Sequence, residues 1–211
     1  MGPLLMGEVA RVRTVVAALQ PGSDPRLWYV TRAAGICGYV LLACSTALGL
    51  FQSLARALEA HVGWALAELH QFVALIAGAF VALHLLALAL DPFLPFSLAN
   101  LALPVGEPYK PLATALGVLG LYALLIVLIS SWLRSRITYG VWRGLHTTSF
   151  VVFALVTAHG LLVGTDTREP WMKGVYFAAM AVVIFLTGVR LLVWLSAEPS
   201  AQSHPRAKGG R

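Results

Sequence analysis

Five long apolar runs constrain this chain more than any other feature. They cover approximately residues 28–54, 64–90, 112–133, 141–163 and 171–195. A helix needs about 20 mostly apolar residues to cross a bilayer, and each run is long enough. Only 11% of the 211 residues are charged, against about 25% in an average soluble domain, which is too few to cover a soluble fold of this size. The sequence therefore predicts an all-α integral membrane protein, a bundle of about five transmembrane helices.

The segments outside these runs are polar or rich in proline. Residues 1–25 are interrupted by charges and are predicted to form a polar or amphipathic segment on the membrane surface. Residues 197–211, rich in Pro, Gly, Ser and charge, are expected to be disordered. Residues 26–196 are predicted to form one membrane domain, and the five prolines of the linker 91–111 predict an irregular or re-entrant loop.

Basic residues predict the orientation in the membrane. Three arginines lie within ten residues around the start of the fourth run: Arg134, Arg136 and Arg143. Short loops rich in Lys and Arg stay on the cytoplasmic side, so this end is predicted to face the cytoplasm together with Arg56. The N-terminal segment then lies outside although it is also basic, which conflicts with the same rule. We expect a multi-pass protein of the bacterial inner membrane, with the charge serving orientation in lipid and not nucleic-acid binding.

Four of the six histidines lie inside apolar runs, two in the second and two in the fourth: His70, His84, His146 and His159. An ionisable side chain in a membrane is costly unless it is paired or ligated. The first two are separated by about 21 Å of helix and share nearly one face, and the other two are about 19.5 Å apart. The second and fourth helices run in the same direction, so His70 pairs with His146 and His84 with His159. Two such pairs predict two stacked b haems, each iron held by one imidazole from each helix.

One spacing departs from an ideal helix. His146 and His159 are 13 residues apart, which leaves their directions about 140° short of a whole number of turns. The fourth helix must therefore tilt, curve or bulge if both rings are to reach their irons. No internal repeat is evident at the residue level, although the second and fourth runs share this pairing of histidines.

The four histidines also allow roles other than haem binding. Zinc prefers three or four ligands in one cluster, whereas these residues form two distant pairs. A proton relay normally includes Asp or Glu at depth, and only Glu68 comes near. Structural histidines are the third alternative. His61 and His204 lie outside the apolar runs and are predicted to be surface residues.

Arginines lie where the propionates of the inner haem would emerge: Arg56, Arg134, Arg136 and Arg143. The guanidinium group is well suited to binding such carboxylates. Orientation alone also explains these residues, and the two roles are compatible.

The histidine pattern, H-x13-H in one helix and H-x12-H in another, resembles the ferric reductase-like transmembrane domain. That superfamily includes iron and copper reductases, NADPH oxidases and the membrane haem subunit of the periplasmic methionine sulfoxide reductase system. The unequal spacing is the family's own. Softer likenesses are the segments LWYVTRAAGICGYVLL, WRGLHTTSF and TAHGLLVGTD and the arginine-rich loop. The resemblance covers approximately residues 27–195.

The resemblance implies transmembrane electron transfer through two bis-histidine b haems. Many members have a six-helix core, so the family's first helix is expected to be missing here. The methionine sulfoxide reductase haem subunit typically lacks the inner histidine of the first pair, which this chain keeps as His70. The two-haem reductase or oxidase branch is therefore favoured, and a subunit that feeds a periplasmic redox enzyme is the alternative. A non-redox transporter or structural subunit is the alternative of another class.

Full-length reductases and oxidases continue into flavin and nicotinamide domains. Here only 16 residues follow Leu195 and no G-x-G-x-x-G occurs among them, so no FAD or NAD(P) site is expected in this chain. Electrons would come from a separate flavoprotein, a soluble carrier or quinol. The acceptor on the outer side would be ferric iron, oxygen or a periplasmic redox protein.

Overall fold

The structure is a computed structural model that describes residues 26–58, 63–91, 98–105 and 110–196. Within these residues the chain is helical and contains no strand, which confirms the predicted all-α class. The helices are α1 (Arg26–Ala57), α2 (Gly63–Leu90), α3 (Leu98–Ala102), α4 (Pro111–Trp132), α5 (Tyr139–Thr147), α6 (Ser149–Val163) and α7 (Pro170–Ser196), with 3₁₀ helices at Arg134–Arg136 and Thr165–Arg168. The predictions for residues 1–25 and 197–211, and for His61 and His204, lie outside the described residues.

Five helical segments are long and apolar enough to cross a membrane. They are α1, α2, α4, the continuous stretch Tyr139–Val163 that contains α5 and α6, and α7. They coincide with the five predicted apolar runs. Large apolar side chains on their outer faces are exposed, such as Phe72 at 62% and Ile184 at 70%. In water such exposure would favour aggregation, but in a bilayer these side chains contact lipid. The chain is therefore an integral multi-pass membrane protein.

Helix α1 lies at the centre of the bundle. It packs against α2, α6 and α7, while α4 packs against α5 and α6. The buried core at mid-bundle includes Tyr39, Leu42, Leu124, Val152 and Phe153. The two histidine-bearing segments of the bundle, α2 and α5–α6, thus each have their own main packing partner, α1 for one and α4 for the other.

The fourth membrane-spanning segment is broken at Thr148. The Thr148 N–H donates to Leu145 O at 3.1 Å, a bond to the third preceding residue, so the chain tightens there. The Thr147 hydroxyl donates to Gly144 O at 2.6 Å and the Thr148 hydroxyl to Leu145 O at 2.7 Å. Threonine hydroxyls that take backbone carbonyls in this way compete with regular helical bonding.

This break lies between His146 and His159, where the sequence spacing called for a tilt, curve or bulge. A residue in a 3₁₀ turn advances the chain by about 120°, against about 100° in an α-helix. The tightened turn therefore rotates His159 relative to His146 in the direction that the 13-residue spacing lacks.

Candidate functional site

His70 of α2 and His146 of α5 face each other. Their ring centroids lie 6.0 Å apart and their planes make an angle of 76°. Two imidazoles on opposite sides of one metal ion, each bonded at about 2 Å, would place their centroids about 6 Å apart. The structure thus brings together the two histidines that the sequence pairs at the inner level, at a separation that suits a shared metal.

His84 of α2 and His159 of α6 line one cavity toward the other end of the bundle. The walls of this cavity come from α1, α4 and α7, and include Tyr39 and Tyr176. The second pair that the sequence suggests therefore opens into a single space between the helices. Within the described residues, no three His, Cys, Asp or Glu side chains converge into a compact metal site.

Three of the histidines are oriented by the backbone of a neighbouring helix. Their Nδ1 atoms bond to carbonyl oxygens of α1 or α4: His70 to Ser45 O at 2.8 Å, His84 to Thr31 O at 2.8 Å and His159 to Ala113 O at 2.7 Å. Because a carbonyl oxygen only accepts, Nδ1 carries the proton and Nε2 keeps a free lone pair. Within the described residues no hydrogen bond reaches Nε2 of any of the four. Metal-ligating histidines are held in this way.

A glycine lies one helical turn beyond each of those carbonyls: Gly35, Gly49 and Gly117. A Cβ on Gly117 would lie 2.6 Å from His159 Nδ1, and a Cβ on Gly35 would lie 3.0 Å from His84 Nδ1. Only a residue without a side chain lets the ring approach the carbonyl of the preceding turn this closely. These glycines are site residues that the histidine spacing alone did not indicate.

His146 is held by side chains and not by a backbone carbonyl. Its Nδ1 lies 3.3 Å from Ser131 Oγ. Ser131 occupies the position in α4 that Gly49 occupies in α1, since each lies 14 residues after the first glycine of its helix. Trp142 stacks on the His146 ring, with centroids 5.0 Å apart and planes at 26°. This ligand candidate is thus more open to changes in its surroundings than the other three.

The two helix pairs that carry the histidines are alike in sequence as well as in contacts. Residues 33–38 read AAGICG and residues 115–120 read ALGVLG, while residues 79–84 read AFVALH and residues 154–159 read ALVTAH. A Cβ on Gly38 would meet Val81 Cγ2 at 3.5 Å, and one on Gly120 would meet Val156 Cγ2 at 3.1 Å. The repeat that was not evident along the chain is therefore one of helix pairs, and the two G-x-x-G segments are its signal.

A comparison with protein families matches residues 34–157 to the ferric reductase like transmembrane component. The chain belongs to this family. The match spans more than half of the 211 residues and includes His70, His84 and His146, while His159 lies just beyond it. It confirms the resemblance seen in the histidine pattern and indicates transmembrane electron transfer as the general function, with haem as the family's general cofactor. Neither the curated proteins nor the solved structures gave a significant match.

One end of this ferric reductase-like protein is rich in arginine. This arginine end comprises Arg56, Arg134, Arg136, Arg143 and Arg190. The first three are exposed and Arg143 is half-buried. Arg190, on α7, was not singled out from the sequence because it lies inside an apolar run. It donates to Ser53 Oγ of α1 and lies close enough to Arg56 and Arg143 for their charges to interact.

The opposite end of the ferric reductase-like bundle has an ion pair beside the His84–His159 cavity. Arg32 of α1 binds Asp166 of the second 3₁₀ helix through two contacts, one of them Nε to Oδ2 at 3.0 Å. The hydrogen bond from Arg32 holds the pKa of the Asp166 carboxyl below its ordinary value. Both residues line the cavity. The sequence marked residues 164–170 only as a short polar linker, so this contact became visible only in the fold.

Proposed function

We propose that this ferric reductase-like protein binds two b haems and conducts electrons from a donor at the arginine end to an acceptor at the opposite end. His70 and His146 would be the axial ligands of one haem, and His84 and His159 those of the other. The observation that carries the proposal is the facing of His70 and His146 at 6.0 Å. Bound there, haem supplies the one-electron ferric/ferrous couple that protein side chains lack.

The residues around the histidines fit this role. A carbonyl that accepts from Nδ1–H fixes the ring and makes Nε2 a better donor to iron. Close approach at Gly35, Gly49 and Gly117 keeps the rings tight against α1 and α4, which leaves the space between α2 and α5–α6 for a flat group. Zinc fits this arrangement less well, because each site offers two imidazoles and not three or four ligands.

Arginines at both ends can pair with haem carboxylates. At the arginine end we propose this role for Arg56, Arg134, Arg136 and Arg143, and Arg190 adds a further guanidinium. At the other end Arg32 borders the cavity beside Asp166. A guanidinium at a haem edge neutralises a propionate charge that would otherwise be costly to place near the bilayer.

Donor and acceptor would be separate molecules. The proposed donors are a flavoprotein, a soluble carrier or quinol on the cytoplasmic side, and the proposed acceptors are ferric iron, oxygen or a periplasmic redox protein on the outer side of the bacterial inner membrane. The presence of His70 favours this two-haem function over a subunit dedicated to methionine sulfoxide reduction.

A visible spectrum of the purified full chain tests the proposal. With adequate haem supply during expression, we expect sharp low-spin b-type bands in the reduced-minus-oxidised spectrum. A pyridine haemochrome assay should give about two haems per chain. A protein without haem would overturn the proposal and favour a non-redox transporter or structural subunit.

Single substitutions test the pairing. His84→Ala and His159→Ala should each remove about one of the two haems and leave the other reducible, because each haem depends on both of its ligands. His61→Ala, outside the apolar runs, is the control and should retain both. Equal loss of both haems in the two variants, or loss of neither, would contradict the pairing of His84 with His159.

A further inference from the structure

Aromatic side chains on α5 form a continuous line from the protein surface to His146. Tyr139 is 63% exposed, and its ring centroid lies 5.7 Å from that of Trp142. The Trp142 ring lies 5.0 Å from that of His146. Steps of three and four residues place these side chains on one face of the helix. Among the described residues, no other of the four histidines stacks on a tryptophan or tyrosine.

The same line carries a positive charge. The Arg134 Cζ atom lies 4.6 Å from the Trp142 ring centroid, which is a cation–π contact. Arg134 and its neighbour Arg136 are both exposed. Against the five arginines of the arginine end, Glu68 is the one carboxylate on the inner half of the described membrane-spanning helices. A surface with this imbalance attracts and orients an acidic partner.

We infer that Tyr139, Trp142 and Arg134 form the surface where an acidic, soluble electron carrier docks and delivers electrons toward His146. This rests on the proposed function, because it takes His146 as a haem ligand. The occupant is a carrier protein whose cofactor lies within a negatively charged face. A neutral quinol would arrive through the bilayer and would gain nothing from exposed guanidinium groups.

The transfer itself makes and breaks no bond in this chain. One electron leaves the reduced flavin of the carrier and reduces the iron bound by His146 from ferric to ferrous, while the carrier becomes oxidised by one electron. The role of Arg134 is to dock the carrier. The role of Trp142 is to hold the His146 ring and to fill the space between it and the surface with a packed aromatic group, so that the electron does not have to cross solvent.

Stopped-flow reduction of the haem-loaded full chain in lipid nanodiscs tests this inference. The probe is reduced flavodoxin, an acidic FMN protein. Arg134→Gln is compared with Arg168→Gln, which removes an equally exposed arginine at the opposite end. Trp142→Leu is compared with Trp142→Phe, which keeps an aromatic ring. Haem content, midpoint potentials and the Kd of oxidised flavodoxin are measured for every variant.

Arg134→Gln should lower the second-order rate constant at low ionic strength by about threefold or more, with a matching loss of flavodoxin affinity. Arg168→Gln should change neither quantity. Trp142→Leu should lower the limiting rate at saturating flavodoxin several-fold while leaving the Kd unchanged, and Trp142→Phe should restore most of that rate. The charge thus acts on binding and the aromatic ring on transfer.

Equal effects of Arg134→Gln and Arg168→Gln, with both haems present, would overturn the docking surface and leave haem binding intact. So would rapid reduction by neutral duroquinol in a protein that reduced flavodoxin does not reduce. Wild-type protein without haem would instead overturn the proposed function. If Trp142→Leu fails to assemble, the arginine pair alone decides the question, because both arginines are on the surface.

Discussion

At the residue scale, the approach of three histidines to their neighbouring helices depends on the absence of a few side-chain atoms. The rings of His70, His84 and His159 reach backbone carbonyls because glycine follows one turn later on the partner helix. At the fourth position Ser131 replaces glycine, and its hydroxyl replaces the carbonyl as the partner of His146. Each ring is thus oriented by one polar contact, which leaves Nε2 for a metal.

Gly117→Ala should disturb the His159 site specifically. The new methyl group would lie 2.6 Å from Nδ1 of that ring, and relieving an overpacked contact of this kind costs about 1–3 kcal/mol. We expect reduced haem content or an altered low-spin signal from the haem of His84 and His159. Gly188→Ala is the control, since a Cβ there meets no atom within 4 Å. Identical spectra for both variants would show that the close approach is unnecessary.

The Arg32–Asp166 pair should make stability depend on acid pH. The folded pKa of Asp166 is depressed by Arg32, so the contribution of the pair is complete above the unfolded pKa of about 4 and disappears as the pH falls through the lower folded value. Thermal unfolding should show wild type more stable than Asp166→Asn by no more than about 1 kcal/mol near neutrality. The difference should vanish in strong acid. A constant difference at all pH values would exclude the ion pair as its source, and Glu169→Gln provides the surface control.

At the element scale, the break between α5 and α6 reconciles the two histidine spacings. Helix α2 is continuous and has 14 residues between His70 and His84, whereas the fourth span has 13 and a tightened turn at Thr148. The pairing of each histidine helix with a G-x-x-G helix gives the bundle two similar halves. Both halves present their rings from an outer helix toward the space between α2 and α5–α6.

Removing the hydroxyls at the break should straighten the fourth span. In Thr147→Ala/Thr148→Ala the carbonyls of Gly144 and Leu145 lose their side-chain donors, and regular helical bonding can return. The directions of His146 and His159 should then diverge, so haem content should fall from about two to about one per chain. Thr187→Ala removes a similar 2.7 Å bond, to Val183 O, inside uninterrupted α7. Equal haem content in both variants would mean that the break does not align the ligands.

At the scale of the whole molecule, the two ends differ in charge and in what they offer a partner. The arginine end carries exposed guanidinium groups and the aromatic line to His146. The opposite end has the cavity of His84 and His159 with the Arg32–Asp166 pair at its border. Such a difference suits a protein that receives electrons at one face of the membrane and releases them at the other.

Cysteine labelling in intact bacteria tests the orientation. The background carries Cys37→Ala and Cys44→Ala, since both native cysteines are exposed. Ser135→Cys, at the arginine end, should be protected from a membrane-impermeant maleimide until the membrane is opened, because arginine-rich loops remain in the cytoplasm. Arg168→Cys should be labelled at once. The reverse pattern would invert the direction of electron transfer that we propose.

The sequence by itself determined the class of protein, the five spans and the four histidines at depth. These are local properties, since hydrophobic length and a polar side chain within an apolar run can be read without knowing what lies beside them. Even the need for a distortion in the fourth span followed from counting residues between His146 and His159, although its place at Thr148 did not.

Only the tertiary structure decided which backbone atoms hold the rings. The roles of Gly35 and Gly117, the contact of Arg190 with α1 and the pairing of Arg32 with Asp166 all join residues from helices that are distant along the chain. Glycines and arginines occur in membrane helices for several reasons, packing and orientation among them. What a given one does is set by the helix that packs against it, and that is a property of the assembled bundle.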